Sequence, residues 1–286
     1  MKTSVVIPNW EGLGLLKKNL KKVLAIDADE VIISDDDSRD GSLEYLRKKH
    51  PKLKIIHHRR LGFAGNVNRG VEAAKHEVII LLNLDVVPRK DLLEPLKEDF
   101  KDPSVFAVSF NEINSPKLSW TKGYFLKGYI VHAPGRKTKT PHQTFWVSGG
   151  SGAFRKSMWD RLGGFDESFK FYWEDIDLCY RAQKRGWKCL WDPRAKVSHH
   201  HESTIKKLRK SYVSLIQERN QLLFIWKNLT DSKLMPKHIA GVFFRLRSLG
   251  YLKVVLAALL KLPFMIPKRL KEQEEGIISD RKILNL

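Results

Sequence analysis

Over its first 110 residues the chain switches repeatedly between two hydrophobic periods, and this alternation restricts its fold more than any other feature. The short apolar runs "SVVIP" (4–8), "EVIIS" (30–34), "LKIIHH" (53–58), "EVIILLNLD" (77–85) and "VFAVSF" (105–110) read as strands. Between them, "GLLKKNLKKVL" (14–24), "SLEYLRKKH" (42–50), "AGNVNRGVEAAK" (64–75) and "RKDLLEPLKEDF" (89–100) carry helical spacing, with Pro95 marking a kink or a late start. Such alternation predicts an α/β fold built on a mostly parallel sheet with helices on both faces.

Ligands of these sheets bind beyond the carboxyl ends of the strands. The strands here end in Pro8-Asn9, in Asp35-Asp36-Asp37 and in Asn83-Leu84-Asp85. Two acidic ends therefore share one crevice. The block "DDDSRDGS" has three readings: a solvated turn rich in turn-forming residues, an acid gripping a ribose, or a metal site. The first strand lacks a dinucleotide fingerprint, because Gly12 and Gly14 are followed by Lys17 where a third glycine belongs. A GxxxxGK[ST] phosphate loop is absent too. Asp85 suits a hard cation that also takes oxygens from substrate phosphates. The "HHH" run at 199–201 ends another strand and offers a second ligand. In "WEDIDL", Glu174, Asp175 and Asp177 crowd a helix start. The helix dipole favours acids there, and crowding also raises one pKa toward that of a working base.

Residues 111–145 break the alternation. They are rich in Lys, Gly and Pro and read as a variable excursion, a mobile lid or rim. Order returns at "TFWVSGGSGAFRKSMWDRLGGFDESF" (144–169), a helix follows over 172–186, and 187–201 holds one or two strands. The domain expectation is a catalytic α/β unit over 1–204 and a helical, basic tail over 205–286. Of the net charge of +20, residues 205–286 carry 17 Lys/Arg against 6 Asp/Glu. That field suits a polyanion, either nucleic acid or an acidic membrane surface. The segment "YLKVVLAALLKLPFMIP" (251–267) sets a broad apolar surface beside Lys253 and Lys261, which fits a helix lying in a membrane interface or packed on the main domain. Two cysteines, Cys179 and Cys189, are too few for a disulfide framework. The start "MKTSVVIPNW" has too short an apolar run for a signal peptide, so the expected location is the cytoplasm.

Several segments together resemble the family 2 glycosyltransferases, inverting enzymes of the GT-A fold, and in particular bacterial rhamnosyltransferase-like members. They are "SVVIPNW", "DDDSRDGS", "LGFAGNVNRG", "LLNLD", "GGFDESFKFYWEDIDLCYRAQKRGW" and "VSHHH", in that order, over about residues 3–204. The resemblance implies a GT-A type fold, a single Rossmann-like sheet flanked by helices, with the C-terminal appendage added. It implies a nucleoside-diphosphate-sugar donor held by Pro8, Asp35, Gly62, Asn68 and Asn83. A divalent cation, Mn²⁺ or Mg²⁺, would be bound by Asp85 and His199, with His200 or His201 able to take the histidine's place. Asp175 would be the general base, and Gly149, Gly150, Trp173 and Glu174 would line the acceptor side. Asn83 replaces the first aspartate of the family's metal motif.

The expected function is metal-assisted, inverting transfer of a sugar to a hydroxyl of a glycan or lipid-linked acceptor. The expected place is the inner face of the cytoplasmic membrane. Two rivals are a non-catalytic relative that only binds nucleotide-sugar, and a basic nucleic-acid-binding protein. The tail's aromatics lie mostly among aliphatic residues, which speaks against nucleic acid as a partner.

Overall fold

The computed structural model describes residues 1–115, 119–200 and 209–284. Its first half follows the alternation: β1 (Thr3–Asn9), α1 (Leu13–Val23), a 3₁₀ turn (Leu24–Ile26), β2 (Glu30–Asp36), α2 (Ser42–Lys49), β3 (Lys54–His58), α3 (Phe63–Glu72), β4 (Val78–Leu82), β5 (Val86–Pro88), α4 (Leu93–Asp99) and β6 (Val105–Glu112). Helix α4 begins at Leu93, so Pro95 falls in its first turn, where a missing N–H costs nothing. The second half adds β7 (Thr121–Leu126), β8 (Tyr129–Pro134), β9 (His142–Gln143), β10 (Ser151–Arg155), α5 (Lys156–Leu162), α6 (Glu174–Lys184) and β11 (Lys188–His199). Then come α7 (Lys210–Asn228), α8 (Leu234–Arg245), α9 (Leu249–Leu259), α10 (Leu262–Glu275) and α11 (Asp280–Ile283).

One mixed, mostly parallel sheet runs in the order β3-β2-β1-β4-β10-β6-β11-β5, with β9 paired to β11. Strands β3, β2, β1 and β4 are parallel neighbours. Strand β10 enters antiparallel between β4 and β6. Successive side chains point to opposite faces, and both faces are buried. Val5, Ile7, Ile33, Ile80 and Leu82 pack with α1, α2 and α4. Their neighbours Val6, Ile32, Ile79 and Leu81 pack with α3, α5 and α6. Strands apolar on both faces read as continuous runs, as these do.

The 111–145 excursion is more ordered than its composition predicts. Strands β7 and β8 form a hairpin with a two-residue turn at Lys127-Gly128. Both turn residues have positive φ (49° and 87°), the geometry that matches strand twist in a tight hairpin. The hairpin docks on the C-terminal helices: the Tyr129 and Tyr251 hydroxyls lie 2.8 Å apart, and Gln221 donates to the Ile130 carbonyl at 2.9 Å. Its partners lie about a hundred residues away in sequence, which is why local periodicity misses it.

The helices α7–α11 share a third core with the hairpin and α6. Buried ion pairs fasten them to the sheet domain. Lys227 bridges Asp166 (2.8 Å) and Asp177 (2.9 Å), Lys184 meets Asp280 at 3.1 Å, and Arg185 meets Glu272 at 2.8 Å.

Candidate active site

The strand ends predicted to line a crevice do come together. Asp35 is fully buried at the end of β2. Its carboxylate accepts from the Asn9 amide at 2.6 Å and the Ser38 N–H at 3.0 Å, and lies 3.1 Å from His57 Nδ1. It therefore ties the ends of β1, β2 and β3 and holds the floor of the crevice. Asp36 accepts from the N–H groups of Leu61 and Gly62 (2.6 and 2.9 Å), fixing the entry to α3. Asp40 caps two helices at once, accepting from Leu13 N–H (2.8 Å) and Ser42 N–H (3.0 Å). Arg60 lies flat on the Trp10 ring, 3.3 Å from its centre, at the same rim. Pro8 is buried in β1, paired with Ser34 of β2. Asn68 uses its amide on a different task. It donates to the Phe165 carbonyl (2.9 Å) and accepts from the Phe165 N–H (2.9 Å), clamping the "GGFDESF" segment to α3.

Beyond β4, Asn83, Asp85 and His199 cluster. His199 lies between two carboxylates: Nε2 is 3.4 Å from Asp85 Oδ1, and Nδ1 is 2.8 Å from Glu112 Oε1. Burial works against charge on the imidazole, but its hydrogen bonds with Asp85 and Glu112 raise its pKa to about 9. A proton thus sits between Asp85 and His199 at neutral pH. The pair fits a divalent cation in that proton's place, with Glu112 orienting the ring from behind. Among the described residues no group of three or more His, Cys, Asp or Glu is arranged to hold a metal. A carboxylate and an imidazole leave the remaining positions to substrate oxygens, which is how Mg²⁺ and Mn²⁺ are commonly held beside phosphates. Of the two described histidines of the run, His199 is the one turned to Asp85. His200 is exposed and donates its N–H to the Asp85 carbonyl at 3.0 Å. His201 lies outside the described residues.

Gly149 and Gly150 connect this cluster to the carboxylates of α6. The Asn83 N–H donates to the Gly150 carbonyl at 2.8 Å, and a Cβ on Gly150 would stand 2.1 Å from Asn83 Nδ2. Only glycine lets the strand-end amide lie so close. The next N–H along, that of Gly149, donates to Asp175 Oδ2 at 3.3 Å. The β4 strand end and the Asp175 carboxylate are thus joined through two consecutive residues of one backbone.

The three acids at the α6 start divide by environment. Burial raises the pKa of Asp175, and hydrogen bonds from the Gly149 and Ile176 N–H groups limit the rise to about 6. Glu174 is raised well above the usual carboxylate range, first by burial and then by Asp175 and Asp177. Burial and the adjacent carboxylates thus favour the neutral form of Glu174. Asp177 does not belong to the crevice. Burial would raise its pKa, but Lys227 and Arg181 lower it, and its carboxylate sits 2.9 and 2.8 Å from those cations. It is a structural anchor for α7.

Trp173 and Tyr172, just before these acids, both have positive φ (76° and 63°), which is uncommon for bulky residues. The Trp173 ring packs near His132 of the hairpin (6.5 Å), which in turn packs near Trp146 (5.5 Å).

Sequence reasoning missed Glu112, His57 and Asn220, and named Asn9 as a strand end without giving it a role. Glu112 and Asn9 each end a strand, the same signal that pointed to Asp35 and Asp85. Asn220, which braces the Tyr172 turn from α7, left no local signal.

Residues 4–163 match the profile of the family described as glycosyl transferase family 2, and the chain belongs to that family. It is similar to a pre-mycofactocin glycosyltransferase of Mycobacterium tuberculosis, 28% identical over 215 residues, which is 71% of this chain and 43% of the relative. It is also similar to the N-acetylglucosaminyl-diphospho-decaprenol L-rhamnosyltransferase of that species (26% over 212 residues, 59% of this chain and 66% of the relative). A third relative is the rhamnosyltransferase WbbL of Escherichia coli (26% over 217 residues, 66% and 80%). The chain spans less than half the length of the first of these relatives. Among solved structures it resembles GalNAc-T7 with UDP, GalNAc and Mn²⁺ (TM-score 0.63, 18% identity, 84% of this chain and 54% of that one). It also resembles a mannosyltransferase of Pyrobaculum calidifontis in complex with GDP-Man and Mn²⁺ (TM-score 0.56, 18% identity, 96% and 84%). These likenesses show the fold, which is of the GT-A type.

Proposed function

We propose that this protein transfers a sugar, a hexose or deoxyhexose, from a nucleoside-diphosphate donor to a hydroxyl of a glycan or lipid-linked acceptor, with inversion. The observation that carries the reading is the two-glycine link. Through Gly149 and Gly150 it sets an ionised carboxylate, Asp175, beside the strand end that carries Asn83 and Asp85. Asp175 takes the proton from the acceptor hydroxyl. Its pKa of about 6 keeps it ionised at neutral pH yet basic enough to accept a proton as the new bond forms. Burial and the neighbouring carboxylates disfavour a second negative charge at Glu174. Trp173 shapes the acceptor side, and Gly62 and the strand ends around Asp35 form the donor side. Asp85 and His199 would hold a Mn²⁺ or Mg²⁺ ion, which would neutralise charge building on the diphosphate leaving group. No covalent nucleophile is required, so a single displacement inverts the anomeric carbon.

Support from the relatives lies in their names, two of them rhamnosyltransferases and one acting on a lipid-linked diphosphate. The same reading places the protein in the cytoplasm at the inner face of the membrane, within reach of such an acceptor, with no role for nucleic acid. Incubation with a panel of nucleotide-sugars and Mn²⁺ tests it. Consumption of at least one donor, lost on chelation, is the expected result; no turnover of any donor would contradict it.

A further inference from the structure

Helix α9 is apolar on both its buried and its exposed face. Its inner face, Tyr251, Val254, Val255 and Ala258, is buried against α7 and the hairpin. Its outer face is leucine: Leu249 is 82% exposed, Leu256 52% and Leu260 78%. The neighbouring helices extend this face, with Phe243 and Phe244 of α8 at 68% and 66% and Phe264 of α10 at 63%. Large apolar side chains exposed together on three successive helices point to an interaction surface.

The charge around it is one-sided. From Ser232 to Lys271 the chain carries nine lysines and arginines and no aspartate or glutamate. Beside the apolar face, α7 and the α8–α9 corner enclose an open groove of about 1270 Å³ lined by Arg209, Arg245, Arg247 and Lys253 together with Tyr212 and Phe244. Arg245 is engaged by Glu218 and stacks on Tyr251, 3.8 Å from the ring centre. Arg247 lies over Phe244 at 4.8 Å. Among the described residues, Arg209, Arg247 and Lys253 pair with no carboxylate.

We propose that α8, α9 and α10 seat this protein in the interface of an anionic phospholipid bilayer, with a lipid phosphate in the groove. Charge complementarity selects this occupant. A second copy of the chain would set two predominantly basic surfaces against each other, in which the one groove acid, Glu218, is already engaged by Arg245, whereas an anionic headgroup layer neutralises them and its acyl layer receives the leucines and phenylalanines. The guanidinium of Arg247 and the ammonium of Lys253 match a phosphate. The helices lie in the surface and do not span it. No single described helix is long and apolar enough to cross a membrane; α9 and α10 qualify only as a pair, and that pair is bent by 68°. Inserting α9 would also strip Tyr251 and Val254 out of the core. The proposal rests on this surface alone and not on the sugar-transfer chemistry.

Flotation of the whole protein with vesicles tests it. Binding is expected with phosphatidylglycerol in phosphatidylcholine, weakened on the order of tenfold in phosphatidylcholine alone. Combined Leu249→Ser, Leu256→Ser and Leu260→Ser changes, and separately Arg247→Glu with Lys253→Glu, should each lower binding to the anionic vesicles on the order of tenfold. Unchanged thermal midpoints and nucleotide binding in lipid-free solution show that the variants fold. Four results would overturn the proposal: equal binding to both vesicle types, variants that bind as the parent does, binding only when a polyprenyl phosphate is added, or a solution dimer that the leucine changes dissociate.

Discussion

Asn220 of α7 holds the backbone that delivers the α6 carboxylates: its Nδ2 donates to the Tyr172 carbonyl at 2.9 Å and to that of Phe171 at 2.9 Å. Arg219 fixes the amide's orientation by donating from Nε and Nη2 to Asn220 Oδ1 (3.1 and 2.7 Å). The C-terminal helices are therefore part of the site's support. Tyr172 and Trp173 adopt left-handed backbone conformations that cost free energy, and such conformations persist only when the surroundings over-determine them.

Removing that brace should misplace the base without emptying the donor site. Asn220→Ala is expected to lower kcat by about tenfold, the equivalent of one or two lost hydrogen bonds, with nucleoside-diphosphate affinity unchanged. Steady-state kinetics and nucleotide titration separate the two. A parallel loss of nucleotide binding would assign Asn220 to general stability.

At saturating Mn²⁺, which removes the His199 proton from the balance, the rate should depend on a single ionisation. With Asp175 at about 6, kcat/KM should be flat above pH 7 and fall about tenfold per unit below pH 6, since the protonated carboxyl cannot take the acceptor's proton. A pH–rate profile between 4.5 and 8 checks this.

Asp85→Asn should remove the cation's carboxylate and with it the metal-dependent part of donor binding. In the parent protein, Mn²⁺ with a nucleoside diphosphate at a hundred times its Kd adds about 2.7 kcal/mol of stability, a rise of several degrees in Tm. The variant should keep less than half of that rise, as thermal-shift measurements with and without Mn²⁺ would show.

Asp99 gives a stability test away from the site. Burial and the Asp192 carboxylate raise its pKa to about 7. The folded state thus holds a proton between about pH 4 and 7 that the unfolded chain has released, so stability falls as pH rises through that window. Asp99→Asn should be more stable than the parent by about 1–3 kcal/mol at pH 8, with the gain shrinking toward pH 5. Urea unfolding at the two pH values measures it.

The parallel half of the sheet was legible because each strand is apolar on both faces and each helix shows a 3.6-residue stripe. The strand-end rule found Asp35, Asn83 and Asp85 for the same reason. It stopped short of Glu112 because the apolar run of β6 ends at Phe110, two residues before the strand does. The β7–β8 hairpin was not legible: its stabilising partners, Tyr251 and Gln221, are remote in sequence, and its turn residues resemble those of a loop. The roles of the α6 acids were half legible. Spacing shows that Glu174, Asp175 and Asp177 are crowded, but only the fold shows that Lys227 and Arg181 claim Asp177. Of the tail's two readings, the packed helix describes the buried face of α9, and the exposed leucines of its other face carry the proposal of a membrane surface.

The account depends most on Asp175 acting as the base. The direct test compares the parent with Asp175→Asn under saturating donor and Mn²⁺, following sugar transfer alongside nucleoside-diphosphate binding. The account predicts a rate loss of about 10²–10⁴-fold with nucleotide affinity retained. An unchanged transfer rate would contradict it.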